Sequence, residues 1–360
     1  MISNQVLQAT IDGIKNISGG DFTVIDVDGN HIAGENNGSY HFVAEKALSS
    51  EETEITSKNG LYIKIFNETA PEYILISEKT DDESVLLARM TAFQIQCLQT
   101  AYRERFDRDN FIKNLLLDNL LLIDIYNRAK KLHVATDVMR CVLVVESNSD
   151  NEAADLEKIR TLFSGKTRDF VTAVDENNII IVKEVAPGEG YEDINRIAES
   201  IFATFTEFKK GDIHIAYGTI VPDIKEVSRS FKEARMALDV GRIFFEEKDI
   251  IAYNTLGIGR IIYQLPIPLC KMFIKEIFEN KSPDDFDEET LVTIEKFFEN
   301  NLNVSETSRQ LYIHRNTLVY RLDKLQKYTG LDLRVFEDAI TFKIALMVVK
   351  YMKYMESNEF

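Results

Sequence analysis

Apolar residues in the first part of the chain follow alternating or continuous runs, which predict strands. Such runs occupy Phe22–Val27, Leu61–Phe66 and Glu72–Ser77, and an Asp-Gly-Asn turn follows the first of them. A helical pattern from Val6 to Ile17 precedes the strands, and a shorter helical pattern stands between them. This order of elements predicts a PAS- or GAF-like α/β sensor domain over residues 1–80.

From Asp82 onward the apolar period becomes that of a helix. Leu86, Met90, Phe93 and Cys97 are separated by 4, 3 and 4 residues, which is the spacing of a coiled-coil seam. Two interpretations stay open for residues 81–135, namely a helical linker that pairs two protomers and an amphipathic helix that lies on its own domain.

Residues 136–255 return to a mixed pattern. Strands are predicted at Cys141–Val145, in a hairpin around Asp175–Asn178 and at Ile213–Gly218, with helices between and after them. The resulting βαββαβ order predicts a second α/β domain.

The remainder of the chain has helical periodicity throughout. Residues 256–286 are predicted as a helical connector followed by an acidic, proline-containing linker, and residues 287–360 as an all-α domain. The chain as a whole is therefore predicted to be a multi-domain α+β protein.

Two short helices joined by a tight turn are predicted within the last domain. Asn303 and Glu306 have the spacing of a capping box, and Tyr312-Ile313 separate the first helix from a second that begins near His314. Leu318, Leu322 and Leu325 share one face of this second helix.

The opposite face of the second helix carries amide, hydroxyl, phenol and guanidinium groups, which can read base edges in a major groove. In a helix-turn-helix, the N-terminal part of the second helix makes these contacts. An αα-hairpin with a solvated outer face is the alternative. We assign base contacts to Asn316, Thr317, Tyr320 and Arg321, and phosphate or positioning contacts to Ser305, Arg309, His314, Arg315 and Lys324.

The same stretch resembles the C-terminal DNA-binding domain of CdaR/PucR-type transcriptional regulators. The resemblance rests on Ser305–Leu311, Ile313–Leu322 and Thr329–Arg334, without gaps. It implies a degenerate GGDEF-like domain over residues 136–255, because members of this family carry one there. The hairpin tip Asp175-Glu-Asn-Asn lacks the glycine pair that a diguanylate cyclase needs near phosphate.

The first domain departs from the sugar-diacid recognition domain of many such regulators. Glu35–His41 contains no arginine, and Arg89 is the first arginine in the chain, whereas a dicarboxylate favours bidentate arginine or a backbone nest. We therefore expect an unknown small-molecule effector, or a protein partner, in place of a sugar diacid.

The net charge of −17 is unusual for a DNA-binding protein, but the charge is unevenly distributed. Residues 304–334 contain six basic and three acidic residues, a local charge of +3. No apolar run approaches the ~20 residues of a membrane span, and the N-terminus lacks a signal-peptide pattern, so we expect a cytoplasmic protein. The three cysteines, Cys97, Cys141 and Cys270, are isolated in apolar sequence and are predicted to be buried free thiols.

Composition and motifs give no sign of an enzyme. The sequence contains no phosphate-binding loop, nucleophile elbow or paired metal-ligand spacing, so no catalytic residue, metal or cofactor is predicted. The expected function is sequence-specific regulation of a catabolic or transport operon, through binding of double-stranded DNA at a palindromic operator by a homodimer or higher oligomer. The alternatives are a nucleotide-binding signalling protein and an interaction scaffold that does not bind DNA.

Overall fold

A computed structural model provides the structure, and two compact units, Met1–Ile112 and Lys113–Phe360, make up the chain. The structure describes residues 2–36, 38–58, 60–67, 69–147, 152–163, 168–175, 178–205, 213–278 and 286–358.

The first unit is built on a five-stranded antiparallel sheet in the order β2-β1-β5-β4-β3. Its elements are α1 (Asn4–Ser18), β1 (Thr23–Asp26), β2 (His31–Gly34), α2 (His41–Ser49), β3 (Glu54–Ser57), β4 (Gly60–Asn67), β5 (Ala70–Ser77) and the long helix α3 (Asp82–Leu116), whose last residues belong to the second unit. The structure therefore confirms a mixed α/β unit in this region.

Both faces of this sheet are covered, because its strands present apolar side chains on each side. On one face, Leu7 and Ile11 of α1 pack with Ala88, Ala92 and Ile95 of α3. On the other face, the short helix α2 packs through two buried alanines.

Of the two interpretations that the sequence left open, the structure supports an amphipathic helix α3 that lies on its own domain, and the pairing of two protomers stays a prediction. The face that carries Ala92 and Ile95 is buried on its own sheet. The stripe of Leu86, Met90 and Phe93 is 58%, 61% and 68% exposed. The helix therefore lies on its own domain and still presents the apolar seam to solvent.

The second unit begins with a mixed sheet in the order β10-β9-β6-β8-β7, in which only β9 and β10 pair in parallel among the described strands. Its elements are α4 (Leu122–Lys131), β6 (Arg140–Ser147), α5 (Glu152–Leu162), β7 (Phe170–Ala173), β8 (Asn178–Glu184), α6 (Tyr191–Ala203), β9 (Ile213–Tyr217), α7 (Val227–Phe244) and β10 (Ile250–Ala252). Residues 176 and 177, at the predicted hairpin tip, lie outside the described residues.

Helices α5 and α6 cover one face of this sheet, and α7 packs on the other. Ile159 of α5 and Ile194, Ala198 and Ile201 of α6 are buried against the central strands. Ser230 of α7 donates its hydroxyl to the Thr219 carbonyl and accepts from the Val142 N–H at 3.0 Å, which fixes the helix on the sheet.

Among the described residues, six α-helices complete the second unit. They are α8 (Gly259–Tyr263), α9 (Ile267–Phe278), α10 (Glu288–Glu299), α11 (Val304–Gln310), α12 (Arg315–Thr329) and α13 (Phe336–Asn358). Phe278 of α9 is buried in the same core as Ile294 and Phe297 of α10 and Leu322 of α12. The stretch predicted as a connector therefore contributes to the core of the helical domain.

Helix α13 belongs to two cores. Its first half supplies Phe342 and Ala345 to the helical core, while Val348 and Tyr351 pack with Ile243 of α7. A single helix thus joins the helical domain to the middle sheet domain. No helix among the described residues is long and apolar enough to cross a membrane.

Candidate nucleic-acid interface

Helix α11 begins with a side-chain cap at Asn303. The Asn303 side chain accepts hydrogen bonds from the N–H groups of Ser305 at 3.0 Å and Glu306 at 3.1 Å. The reciprocal half of the predicted capping box is wrong, because the Asn303 N–H donates to the Asn300 carbonyl and the Glu306 carboxylate accepts from Arg309. One side-chain cap therefore starts this helix.

A tight turn separates α11 from α12, as predicted. Tyr312 lies in this turn with a φ of 54°, a left-handed conformation that glycine adopts at little cost and that tyrosine rarely adopts. His314 then caps α12 by accepting the Asn316 N–H on Nδ1 at 3.2 Å. This role requires the Nδ1 atom to be unprotonated.

Three leucines anchor α12. Leu318, Leu322 and Leu325 are 0%, 0% and 2% exposed, and they pack against the apolar sides of α9, α10 and α13. The predicted apolar stripe is therefore confirmed, and its burial fixes which side of α12 faces solvent.

The outer side of α12 presents most of the predicted contact residues together. Arg315, Asn316 and Thr317 of the first turn are exposed, and Tyr320 is 70% exposed. Lys324 continues the same side one turn later. On α11, Ser305 and Arg309 are also exposed.

Arg321 is the exception, and its predicted position on the exposed flank is wrong. Its side chain is only 17% exposed. One guanidinium nitrogen donates to Thr293 Oγ1 at 2.9 Å, and another donates to the carboxylate of Glu289. Because both partners lie on α10, Arg321 ties the second helix of the pair to the preceding helix.

The positive charge at this surface is partly neutralised by neighbouring acids, one of which, Asp287, lies outside the residues counted for the local charge of +3. Lys324 lies 3.9 Å from Asp287, the cap of α10, and Arg309 pairs with Glu306 at 2.7 Å. The Arg309 hydrogen bond lowers the pKa of Glu306. Such exposed pairs are weak, so a phosphate can replace the carboxylate.

Two residues at this surface were not assigned from the sequence. Lys327 is exposed and follows Asn316, Tyr320 and Lys324 at spacings of 4, 4 and 3, so all four share one side of α12. Tyr312 is 96% exposed beside the start of α12. Extending the periodicity one turn further could have identified Lys327, whereas Tyr312 becomes notable only through its backbone conformation.

The middle domain shows a different arrangement at the end of its first strand. Glu146 of β6 forms an ion pair with Arg242 of α7. Burial alone would lower the pKa of Arg242, but the hydrogen bond that Arg242 donates to Glu146 and the charge of that carboxylate outweigh burial, and the pKa of Arg242 is raised. Among the residues that the structure describes, no three His, Cys, Asp or Glu side chains come together as a metal site.

The domain comparisons agree with this division. Residues 290–348 match the family described as the PucR C-terminal helix-turn-helix domain, and residues 120–240 match the family described as the GGDEF-like domain. The chain therefore carries both domains that the resemblance to CdaR/PucR-type regulators implied, and the α11–turn–α12 segment lies inside the helix-turn-helix match.

The chain is also similar to individual proteins whose names describe them as regulators. The chain is 27% identical to the DNA-binding transcriptional activator AdeR of Bacillus subtilis over 72% of its own length and 64% of AdeR. It is 22% identical to the carbohydrate diacid regulator of Escherichia coli over 73% of its own length and 71% of that protein. A solved regulator of polyketide synthase expression from Bifidobacterium adolescentis is 15% identical over 68% of this chain and 97% of that chain, with a TM-score of 0.36.

Proposed function

We propose that this protein binds double-stranded DNA sequence-specifically, with α12 in the major groove, and thereby controls a catabolic or transport operon in response to a small metabolite. The observation that carries the proposal is the exposed side of α12, where Asn316, Tyr320, Lys324 and Lys327 are aligned. Amide and hydroxyl groups at the helix start face the base edges, and the lysines one and two turns later face phosphates.

The test compares one base-reading residue with one phosphate-binding residue. An operator is first selected from random duplexes with the full chain, and affinity is then measured by fluorescence anisotropy at several salt concentrations. Asn316→Ala should cost roughly 1–3 kcal/mol on the selected operator and relax preference at one base pair. Lys324→Ala should weaken all sequences alike and reduce the salt slope by about 1. Equal binding of wild type and Asn316→Ala would refute the assignment.

The proposal includes a homodimer that pairs through α3 and binds palindromic half-sites. Its support is the exposed stripe of Leu86, Met90 and Phe93, which has coiled-coil spacing and is not needed for the core of its own unit. Cys97 is the next member of this seam. It is a free cysteine but an exposed one, so its predicted burial is wrong, because it lies on the side of α3 that faces away from the sheet.

Cys97 makes the dimer testable without an added probe. Mild oxidation of the full chain should produce a covalent dimer on a non-reducing gel, and Cys97→Ser should abolish it. Phe93→Lys should reduce the dimer in solution and leave the thermal midpoint within a few degrees, because Phe93 is 68% exposed. A monomeric wild-type protein that protects one asymmetric half-site would contradict this part of the proposal.

A further inference from the structure

The turn between α11 and α12 has the hydrogen bonds of a Schellman motif. After the C-cap residue Leu311, the Tyr312 N–H donates to the Arg309 carbonyl at 3.2 Å, and the Ile313 N–H donates to the Ser308 carbonyl at 3.0 Å. This pattern requires a left-handed residue directly after the cap, and Tyr312 occupies that position with a φ of 54°.

Glycine is the usual residue at such a position, because it has no Cβ atom to oppose the left-handed conformation. The chain itself uses glycine at the ends of α1 and α12, where Gly19 and Gly330 have φ values of 67° and 79°. A tyrosine destabilises the turn relative to glycine. A strained residue of this kind indicates a function for its side chain when packing does not explain it.

Packing does not explain Tyr312. Its side chain is 96% exposed, and its hydroxyl forms no hydrogen bond with the described part of the chain. Leu302 provides the contrast, because it also has a positive φ but packs against the helical core. The strain at Leu302 is therefore offset within the protein, whereas the partner of the Tyr312 side chain must lie outside the chain.

The position of Tyr312 favours DNA as this partner. Tyr312 stands two residues before His314, the cap of α12, and Arg315 of the first turn is exposed beside it. In a helix-turn-helix, the start of the second helix lies closest to the bases, so the turn that precedes it lies near the sugar–phosphate backbone. A phenol suits this place, because its hydroxyl can donate to a phosphate oxygen while its ring lies against the neighbouring sugar.

We propose that Tyr312 contacts DNA and that its hydroxyl donates a hydrogen bond to a phosphate oxygen next to the bases read by the first turn of α12. This inference rests on the proposed function and adds to it a contact that carries no base preference. Glycine would relieve the strain in the turn, but it would also remove the contact.

The test uses the full chain and the selected operator, with affinity measured by fluorescence anisotropy. Tyr312→Phe removes only the hydroxyl, and it should weaken binding by about tenfold on the operator and by the same factor on each single-base variant of it. Tyr320→Phe is the matched comparison, because it removes a hydroxyl assigned to base edges and should change the preference at one base pair. Tyr312→Gly should lose at least as much affinity as Tyr312→Phe while its denaturant midpoint rises, which separates the loss of affinity from a folding defect.

Methylphosphonate, an uncharged phosphate analogue, locates the contact when it replaces each phosphate of one half-site in turn. At one position it should weaken wild type by about tenfold and Tyr312→Phe by less than about threefold, because the variant has already lost the hydrogen bond. Equal binding of wild type and Tyr312→Phe, additive losses at every phosphate, or a loss confined to one base pair would overturn the phosphate contact and leave the proposed function intact. A wild-type protein that binds no duplex would overturn both.

Discussion

Replacing Arg321 distinguishes a side chain that positions the DNA-contacting helix from one that reads DNA. The Arg321 guanidinium holds α12 to α10 through Thr293 Oγ1 at 2.9 Å and through Glu289. Arg321→Ala should therefore loosen the attachment of α12, with its first turn still intact. We expect reduced stability and a uniform loss of DNA affinity, with unchanged preference among sequences.

The magnitude follows from the burial of the two partners. Thr293 is fully buried, and a hydrogen bond to a charged donor contributes about 1.5–3 kcal/mol. The side chain of Glu289 is 70% exposed, so its ion pair adds about 0–1 kcal/mol. Arg321→Ala should consequently lower the free energy of unfolding by about 2 kcal/mol, measured as a shift in the denaturant midpoint of the helical domain.

Thr293→Val provides the matched comparison, because it removes the acceptor on α10 and leaves Arg321 in place. If Arg321 positions the helix, both variants should lose affinity across all operator variants, and Thr293→Val should lose less. If Arg321 reads a base, Arg321→Ala alone should relax preference at one base pair while Thr293→Val binds like wild type. The second pattern, measured against single-base operator variants, would refute the positioning role.

Three further predictions concern other features of the molecule. Tyr312→Gly should raise the free energy of unfolding by about 0.5–1 kcal/mol in denaturant titrations, because glycine relieves the left-handed φ. The same variant should lower operator affinity if the exposed ring contacts DNA, whereas unchanged affinity would assign Tyr312 to the turn alone. Burial raises the pKa of the Cys141 thiol to about 12, so at pH 8 a thiol reagent should modify Cys97 rapidly and label all three cysteines only after denaturation. Hydrogen bonds from the first turn of α10 lower the pKa of Asp287, so its stabilising effect is complete above its unfolded pKa and disappears as the pH falls through the lowered value. Asp287→Asn should keep the cap, remove this pH dependence from thermal melts and strengthen DNA binding, since Lys324 loses its neighbouring acid.

Local features of the DNA-binding segment could be predicted from the sequence because neighbours along the chain determine them. Leu318, Leu322 and Leu325 lie on one face whatever α12 packs against, and Asn303 can cap α11 because its partners are two and three residues away. The reciprocal contact from Glu306 failed for a local reason as well: Arg309, three residues later, offers a charged donor that the Asn303 N–H cannot match.

Contacts between segments that are far apart along the chain could not be predicted from the sequence pattern. Arg321 meets Glu289 from 32 residues away, and periodicity places it on a flank without revealing that α10 lies beside that flank. The contact of Phe278 with the helical core could not be predicted either. An acidic, proline-containing segment follows Phe278 in the sequence, so its helix was predicted to belong to a connector. Extending a helical pattern predicts which side is apolar, but only the packing decides which polar residues at its border are covered.

Several polar contacts of the middle domain lie near the ion pair between Glu146 and Arg242. Glu146 lies near the end of β6 and is paired with Arg242 of α7. On the same helix, Asp239 accepts hydrogen bonds from Tyr263 at 2.7 Å and from Tyr354 of α13 at 3.4 Å. Asp239 of the middle domain is therefore hydrogen-bonded to α8 and to α13, the last helix of the helical domain. Helix α13 also contributes Phe342 and Ala345 to the core that anchors α12. Because α7 packs on α13 and α13 packs on α12, a change in the packing of α7 can alter the position of α12 through direct contacts.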